Sequence, residues 1–283
     1  MERIKQAISR ARAERGAGEG VAAKPSRSSI DHLSLTPMVE EPACSPSEVR
    51  SSGTRTISVD REWLRANRVI TEGRDDPIAS AYKVLRTRIR QTLQANGWTT
   101  LGVTAAREGS GKTLTALNLA ISLARDVNQT VLVVDLDLRR PQLGKYLIEG
   151  EMPGLSDFLV GRAAVSDILL DPGIDRLAVL PGHEPIRNSS EALSSPKLVK
   201  LVEELKRRCP DRIILFDLPP LLVGDDVMAF CPNLDAVLLV AEEGHTTRDD
   251  LRHAYALLKQ THIIGTVLNK GDPRTVSQAH GYY

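Results

Sequence analysis

Six short apolar runs punctuate the chain: TTLGVTA (99–105), TVLVVD (130–135), RLAVLP (176–181), RIILFD (212–217), AVLLVA (236–241) and IIGTVLN (263–269). Their apolar residues follow one another without polar alternation, the pattern of strands covered on both faces. Between runs lie TLTALNLAISLARD (113–126), SPKLVKLVEELKRR (195–208) and TRDDLRHAYALLKQ (247–260), each long enough for a crossover helix. Strand, helix and strand in repetition predict an α/β fold with a doubly wound, mostly parallel sheet. In such a sheet, functional groups gather beyond the carboxyl ends of the strands.

The flanks differ from this body. MERIKQAISRARAER (1–15) reads as a short basic helix, suited to a membrane surface or an acidic partner, or as a solvated helix with no partner. Residues 16–53 have a linker composition, rich in Ser, Pro, Gly, Ala and charge. Order is expected to begin at DDPIASAYKVLRTRIRQTLQ (75–94), with Asp76 as N-cap and Pro77 at the first helical position. Ile78, Ala81, Tyr82, Leu85, Ile89 and Leu93 would form its apolar face, and Lys83, Arg86, Arg88 and Arg90 make the rest basic. The expected division is therefore 1–75, a basic helix and linker; 76–272, the folded domain; and 273–283, a tail.

The formal net charge of +1 gives no global basic field for nucleic acid. Cys44, Cys209 and Cys231 have no ligand-like spacing and cannot all pair; they fit a reducing cytosol, with the latter two as buried hydrophobes. No stretch reaches the roughly 18 apolar residues of a membrane span, so a cytoplasmic location is expected.

Chemistry concentrates at three strand ends. AAREGSGKT (105–113) joins the first run to a helix, the setting of a phosphate-binding loop. Gly109 and Gly111 let backbone N–H groups turn inward, Lys112 reaches the β- and γ-phosphates, and the Thr113 hydroxyl coordinates magnesium. Ala106 stands where the loop pattern usually has its first glycine, so that position is expected not to need positive φ. Lys112 is expected in solvent or against phosphate, outside the core. In VLVVDLDLRRP (131–141), Asp135 and Asp137 can enter one crevice, where a metal or proton would relieve their repulsion, while Arg139 and Arg140 add positive charge. In IILFDLPP (213–220), Asp217 follows four apolar residues, as a magnesium-holding aspartate does. Asp226 could orient a water or cap a helix.

Together GSGKT, VVDLDLRRP and ILFDLPP resemble the bacterial tyrosine kinases of capsule and exopolysaccharide synthesis. AYKVLRT, GLSDFLVG, NSSEALSSP and TVLNK support that resemblance from about residue 76 onward. The N-terminal segment and EEGHTTRDDLRHA are most similar to the autokinases of exosortase-linked clusters. The resemblance implies a P-loop NTPase of the septum-site and partitioning ATPase type. It implies ATP and Mg2+ as cofactors, with nucleotide contacts from Glu108, Gly109, Ser110, Gly111, Lys112, Thr113, Leu114, Arg139 and Asn269. Metal contacts would come from Thr113, Asp135 and Asp217, and catalytic roles from Lys112, Asp135, Asp137 and Asp217, with Asp135 as base or positioning group. Two of the five tyrosines, Tyr282 and Tyr283, fall in the tail at the acceptor positions.

The resemblance also implies a membrane chain-length determinant (polysaccharide co-polymerase) as partner, holding the chain at the inner membrane. It implies self-association too, although the E-x-x-R-x-x-R helix signature reads Ser80, Lys83, Arg86 here. Three rivals remain: a GTP-binding protein, suggested by NKGD (269–272); a positioning ATPase, in which Arg107 takes the place of the early loop lysine; and a nucleotide-sensing regulator of polysaccharide export.

Overall fold

The computed structural model describes residues 54–71 and 77–271. The basic helix at the N-terminus, Cys44, Asp76 and the tail tyrosines lie outside them. Among the described residues the architecture is an eight-stranded sheet of order β1-β4-β5-β3-β6-β2-β7-β8. Its strands are β1 (Arg55–Thr56), β2 (Thr100–Ala105), β3 (Val131–Asp135), β4 (Leu170–Asp171), β5 (Leu177–Leu180), β6 (Ile213–Asp217), β7 (Ala236–Glu242) and β8 (Ile263–Asn269). Every pairing is parallel except β4 with β5. All six sequence runs are strands.

The unbroken apolar character of β3 has a direct cause. Val131 and Val133 enter the core on one face, Leu132 and Val134 the core on the other. Ile213 and Leu215 of β6 likewise oppose Ile214 and Phe216. On the first face lie helices α2 (Pro77–Asn96) and α3 (Lys112–Ala124); on the second, α8 (Pro196–Arg208) and α10 (Arg248–Leu257). Gly102 in β2 faces Leu218 and Leu234, and a Cβ there would come within 2.7 Å of both side chains, so the central strand must be bare at that point.

Three expectations change. Order begins earlier than residue 76: β1 pairs with β4, and α1 (Arg61–Ala66), capped by Asp60, docks on the body. Asn118 of α3 fixes that docking, accepting from the Ile70 N–H at 2.8 Å and donating to the Arg68 carbonyl at 3.1 Å. In α2 the buried stripe is Ala79, Ile89 and Leu93 with Tyr82 and Leu85 partly buried, while Ile78 and Ala81 are exposed. The first turn contributes Ala79 to the core instead of Ile78 and Ala81. Cys209 is buried, whereas Cys231 is only half-buried.

The remaining helices are short: α4 (Leu143–Leu147), α5 (Leu155–Leu159), α6 (Val165–Ile168), α7 (Ser189–Leu193) and α9 (Asp226–Phe230). They frame the carboxyl end of the sheet, where β2, β3 and β6 deliver the three motif segments side by side. No described helix is long and apolar enough to cross a membrane.

Candidate functional site

The loop between β2 and α3 has the backbone its glycines permit. Gly109 and Gly111 stand at φ 80° and 82°, the left-handed region, whereas Ala106 is buried at ordinary φ, as expected from its side chain. Gly111 is also sterically fixed: a Cβ there would lie 2.3 Å from Asn269 Nδ2. The loop is braced from outside. Ser110 Oγ donates to the Arg107 carbonyl at 2.9 Å, and Asn269 Nδ2 donates to the Ser110 carbonyl at 2.8 Å. Asn269, expected to contact the nucleotide, thus also holds the loop. Leu114 is partly buried against the core under α3.

At the N-terminus of α3, Lys112 turns toward the neighbouring strand ends. Its Nζ lies 2.6 Å from Asp137 Oδ2 and 3.8 Å from Asp217 Oδ1. The lysine side chain is only 12% exposed, so of the two expected positions, in solvent or against phosphate, it does not take the first. The aspartates share its positive charge.

Asp135 and Asp217 end adjacent strands as direct partners in register. Asp135 is not left bare: its Oδ1 accepts from the Asp137 N–H at 3.1 Å, and its Oδ2 accepts from the N–H groups of Gln142 and Leu143 at 3.0 and 2.9 Å. The repulsion expected to be relieved by a metal or a proton is eased by backbone donors at Asp135 and by Lys112 at Asp137. Burial, with the Asp217 charge beside it, still pushes the Asp135 carboxyl up to about 8. Burial also raises Asp217, to about 6, with Lys112 opposing the shift. Burial works against the Lys112 ammonium, but Asp217 and Asp137 outweigh it and its pKa rises.

Asp217 is fully buried, and neither of its oxygens has a hydrogen bond. A buried carboxylate without a donor is costly unless something else fills that role. With the Thr113 hydroxyl at the same helix start, it fits one face of a hydrated magnesium ion, which keeps most of its waters and phosphate ligands. Among the described residues no group of three or more His, Cys, Asp or Glu forms a metal cage.

The sequence reading missed several supports. Arg139 is held by Asp226, Nη2 to Oδ2 at 2.9 Å, and donates to Ser189 Oγ at 2.9 Å, so it is clamped to α7 and α9. Asp226 thus positions an arginine, while its Oδ1 has no hydrogen bond. Arg140 pairs with Glu108, tying the second motif to the loop. Arg107 pairs with Asp250 at 2.9 Å. The T-x-x-D spacing of Thr247 and Asp250 marks a capping box, but nothing in it points to a distant arginine. A cavity of about 420 Å³ opens beside the loop between Arg107, Glu108, Leu222 and Val223.

The profile of the CobQ/CobB/MinD/ParA nucleotide binding domain matches residues 101–281. The tyrosine-protein kinase CpsD of Streptococcus pneumoniae serotype 4 is 34% identical over 194 residues, covering 68% of this chain and 83% of its own length. A putative tyrosine-protein kinase, EpsB, of Ralstonia solanacearum is 29% identical over 89% of this chain, which spans only 33% of that relative. The chain thus spans about a third of the EpsB relative. Among solved structures, the VpsO kinase domain superposes with TM-score 0.60 at 30% identity, over 69% of this chain and 96% of that one. The kinase domain of Escherichia coli ETK shares the fold, with TM-score 0.62 at 24% identity over 82% and 96%. The chain belongs to the CobQ/CobB/MinD/ParA nucleotide-binding domain family and, within it, to the bacterial tyrosine kinases of capsule and exopolysaccharide synthesis.

Proposed function

We propose that this chain is an ATP-dependent protein-tyrosine autokinase that regulates exopolysaccharide synthesis, transferring the γ-phosphate of ATP to Tyr282 and Tyr283 of its tail. The observation that carries the reading is the convergence of Lys112, Asp137, Asp135 and Asp217 at three adjoining strand ends, beside a glycine loop with the backbone of a phosphate cradle. The loop N–H groups and Lys112 hold the phosphates. Releasing Lys112 from Asp137 when phosphate arrives leaves Asp137 facing the acceptor. The tyrosine oxygen forms its bond to the γ-phosphorus as the bond to the β,γ-bridging oxygen breaks, and ADP leaves with that electron pair. The phenolic proton goes to Asp135. Its carboxyl, raised to about 8, is matched to a base working near neutral pH, and Oδ1, which accepts only from the Asp137 N–H, keeps a lone pair for the proton. Mg2+ held by Thr113 and Asp217 would neutralise phosphate charge.

The kinase reading also favours a membrane polysaccharide co-polymerase as activating partner; one relative is named succinoglycan biosynthesis transport protein ExoP, of Rhizobium meliloti. A phosphotyrosine blot of the purified chain, with and without Mg-ATP, tests the proposal. Signal that depends on ATP is expected. A chain that hydrolyses ATP yet never labels itself, with or without the membrane partner, would instead be a positioning ATPase.

A further inference from the structure

Beyond Asp217 the chain does not leave the site at once. Residues 218–222 run beside β2 and the start of the phosphate loop. The Leu218, Leu221 and Leu222 N–H groups donate to the Val103, Ala105 and Ala106 carbonyls at 2.9, 2.8 and 3.1 Å, and Thr104 Oγ1 donates to the Pro219 carbonyl at 2.6 Å. The far end of this segment is held differently. Leu222 and Val223 are exposed, so apolar burial does not keep it down.

Arg139 does. Its Nη2 lies 2.9 Å from Asp226 Oδ2, in the first turn of α9, and its Nε donates to Ser189 Oγ at 2.9 Å, at the start of α7. Gly224 makes room for the contact, since a Cβ there would fall 2.7 Å from both Arg139 Nη2 and Asp226 Oδ2. A backbone bond from the Ile186 N–H to the Leu138 carbonyl, at 2.7 Å, holds the approach to Ser189 against the second motif. One planar guanidinium thus ties together three segments far apart in the chain.

The arginine is not free to serve a ligand as well. Asp226 is 2% exposed and its Oδ1 has no hydrogen bond, so swinging Arg139 toward a phosphate would strand a buried carboxylate. Losing one side of a buried pair is the costly change. Asp217, in turn, has no hydrogen bond at either oxygen. Its placement comes from the backbone on its two sides, β6 before it and residues 218–226 after it.

We infer that Arg139 and Asp226 form a strut across the site, with Asp226 as a positioning residue that acts through Arg139. The strut holds residues 218–226, and with them Asp217 and the start of the loop, in place for magnesium-bound nucleotide. Arg139 is then a tie of the phosphate site and not a phosphate ligand. The inference rests on the kinase reading and extends it beyond the three nucleotide motifs, to Asp226 and to Ser189 of the NSSEALSSP stretch. A group that orients a metal ligand from outside is worth about 10–100-fold in metal affinity.

The test reads the affinity of the full chain for a fluorescent ATP analogue twice, in EDTA and in saturating Mg2+; the ratio is the gain that the metal confers. Asp226→Ala should cut that gain about tenfold and leave the EDTA affinity unchanged. Arg139→Ala should do the same, and the double variant should be no worse than Asp226→Ala, because both changes remove one strut. Arg139→Lys, which keeps the charge but not the fork that serves Asp226 and Ser189 together, should recover part of the gain. If the stranded Asp226 unfolds Arg139→Ala, Asp226→Ala and the double variant still decide the matter, since neither buries a lone carboxylate. An unchanged metal gain in Asp226→Ala overturns the strut. So does a fall in EDTA affinity confined to the variants of Arg139, which marks a phosphate ligand. A joint fall of both affinities, the mark of a damaged fold, and losses that add in the double variant overturn it as well. If the metal gain behaves as expected while phosphate never reaches a tyrosine, the strut stands and the kinase reading falls.

Discussion

Lys112 Nζ and Asp137 Oδ2, on the loop helix and the second motif, are joined at 2.6 Å, so the charge of the loop lysine is met by a carboxylate from the neighbouring strand end. This pair carries both a catalytic and a stability consequence. Lys112→Ala should abolish ATP-dependent labelling. It should also lower stability, because it strands Asp137, Asp135 and Asp217 without their shared cation; breaking one side of a buried pair costs about 3 kcal/mol. Thermal melts of the variant beside phosphotyrosine labelling check both. A variant that loses labelling without any drop in Tm would mean that the three carboxylates do not need the lysine.

Asp137→Asn should separate binding from transfer. The amide releases Lys112, so affinity for a fluorescent ATP analogue should hold or tighten, while labelling falls by about 10²–10⁴, the usual contribution of a positioned proton-transfer group or its charge. Asp135→Asn should slow labelling similarly and loosen the start of α4, because an amide cannot serve the Gln142 and Leu143 N–H groups and Asp137 N–H as a carboxylate does. Analogue titration set against labelling rate is the measurement. Binding that weakens in step with rate would assign both residues to metal ligation.

Stability should depend on pH with an unusual sign. Asp135 and Asp217 have folded pKa values raised to about 8 and about 6, above the unfolded value near 3.9. The folded state therefore binds more protons between those values, and stability falls as pH rises from about 4 to 8. Asp157, Asp235 and Asp250 are shifted downward, the last chiefly by its hydrogen bond from Arg107, so they act in the opposite sense and only at lower pH. Without nucleotide, Tm should peak in mildly acid solution and decline toward pH 8. In Asp135→Asn the decline should be shallower above pH 6. A Tm that climbs steadily from pH 5 to 8 would contradict the burial of these carboxylates.

Labelling should pass between molecules. A Lys112→Ala chain with its tail intact, mixed with an active chain bearing Tyr282→Phe and Tyr283→Phe, should become phosphorylated, at a rate rising faster than linearly with concentration. Label confined to chains that have both a working loop and a tail would show transfer within one molecule.

The strands and the three motif segments were legible because their signals are local: an apolar run buried on both faces, and a loop whose glycines need positive φ. The enclosure of Lys112 was not legible because it depends on Asp137 and Asp217, which are 25 and 105 positions away in the chain. Arg139 was read as positive charge near the site, but its clamp needs Asp226 and Ser189, which come together only through the packing of α7 and α9.

The bond from Asn269 Nδ2 to the Ser110 carbonyl places the last residue of the sheet in direct mechanical contact with the nucleotide loop, two residues before the final described position. A shift of that loop is therefore passed straight to the end of β8, beyond which the proposed acceptor segment begins, without any relay through the core.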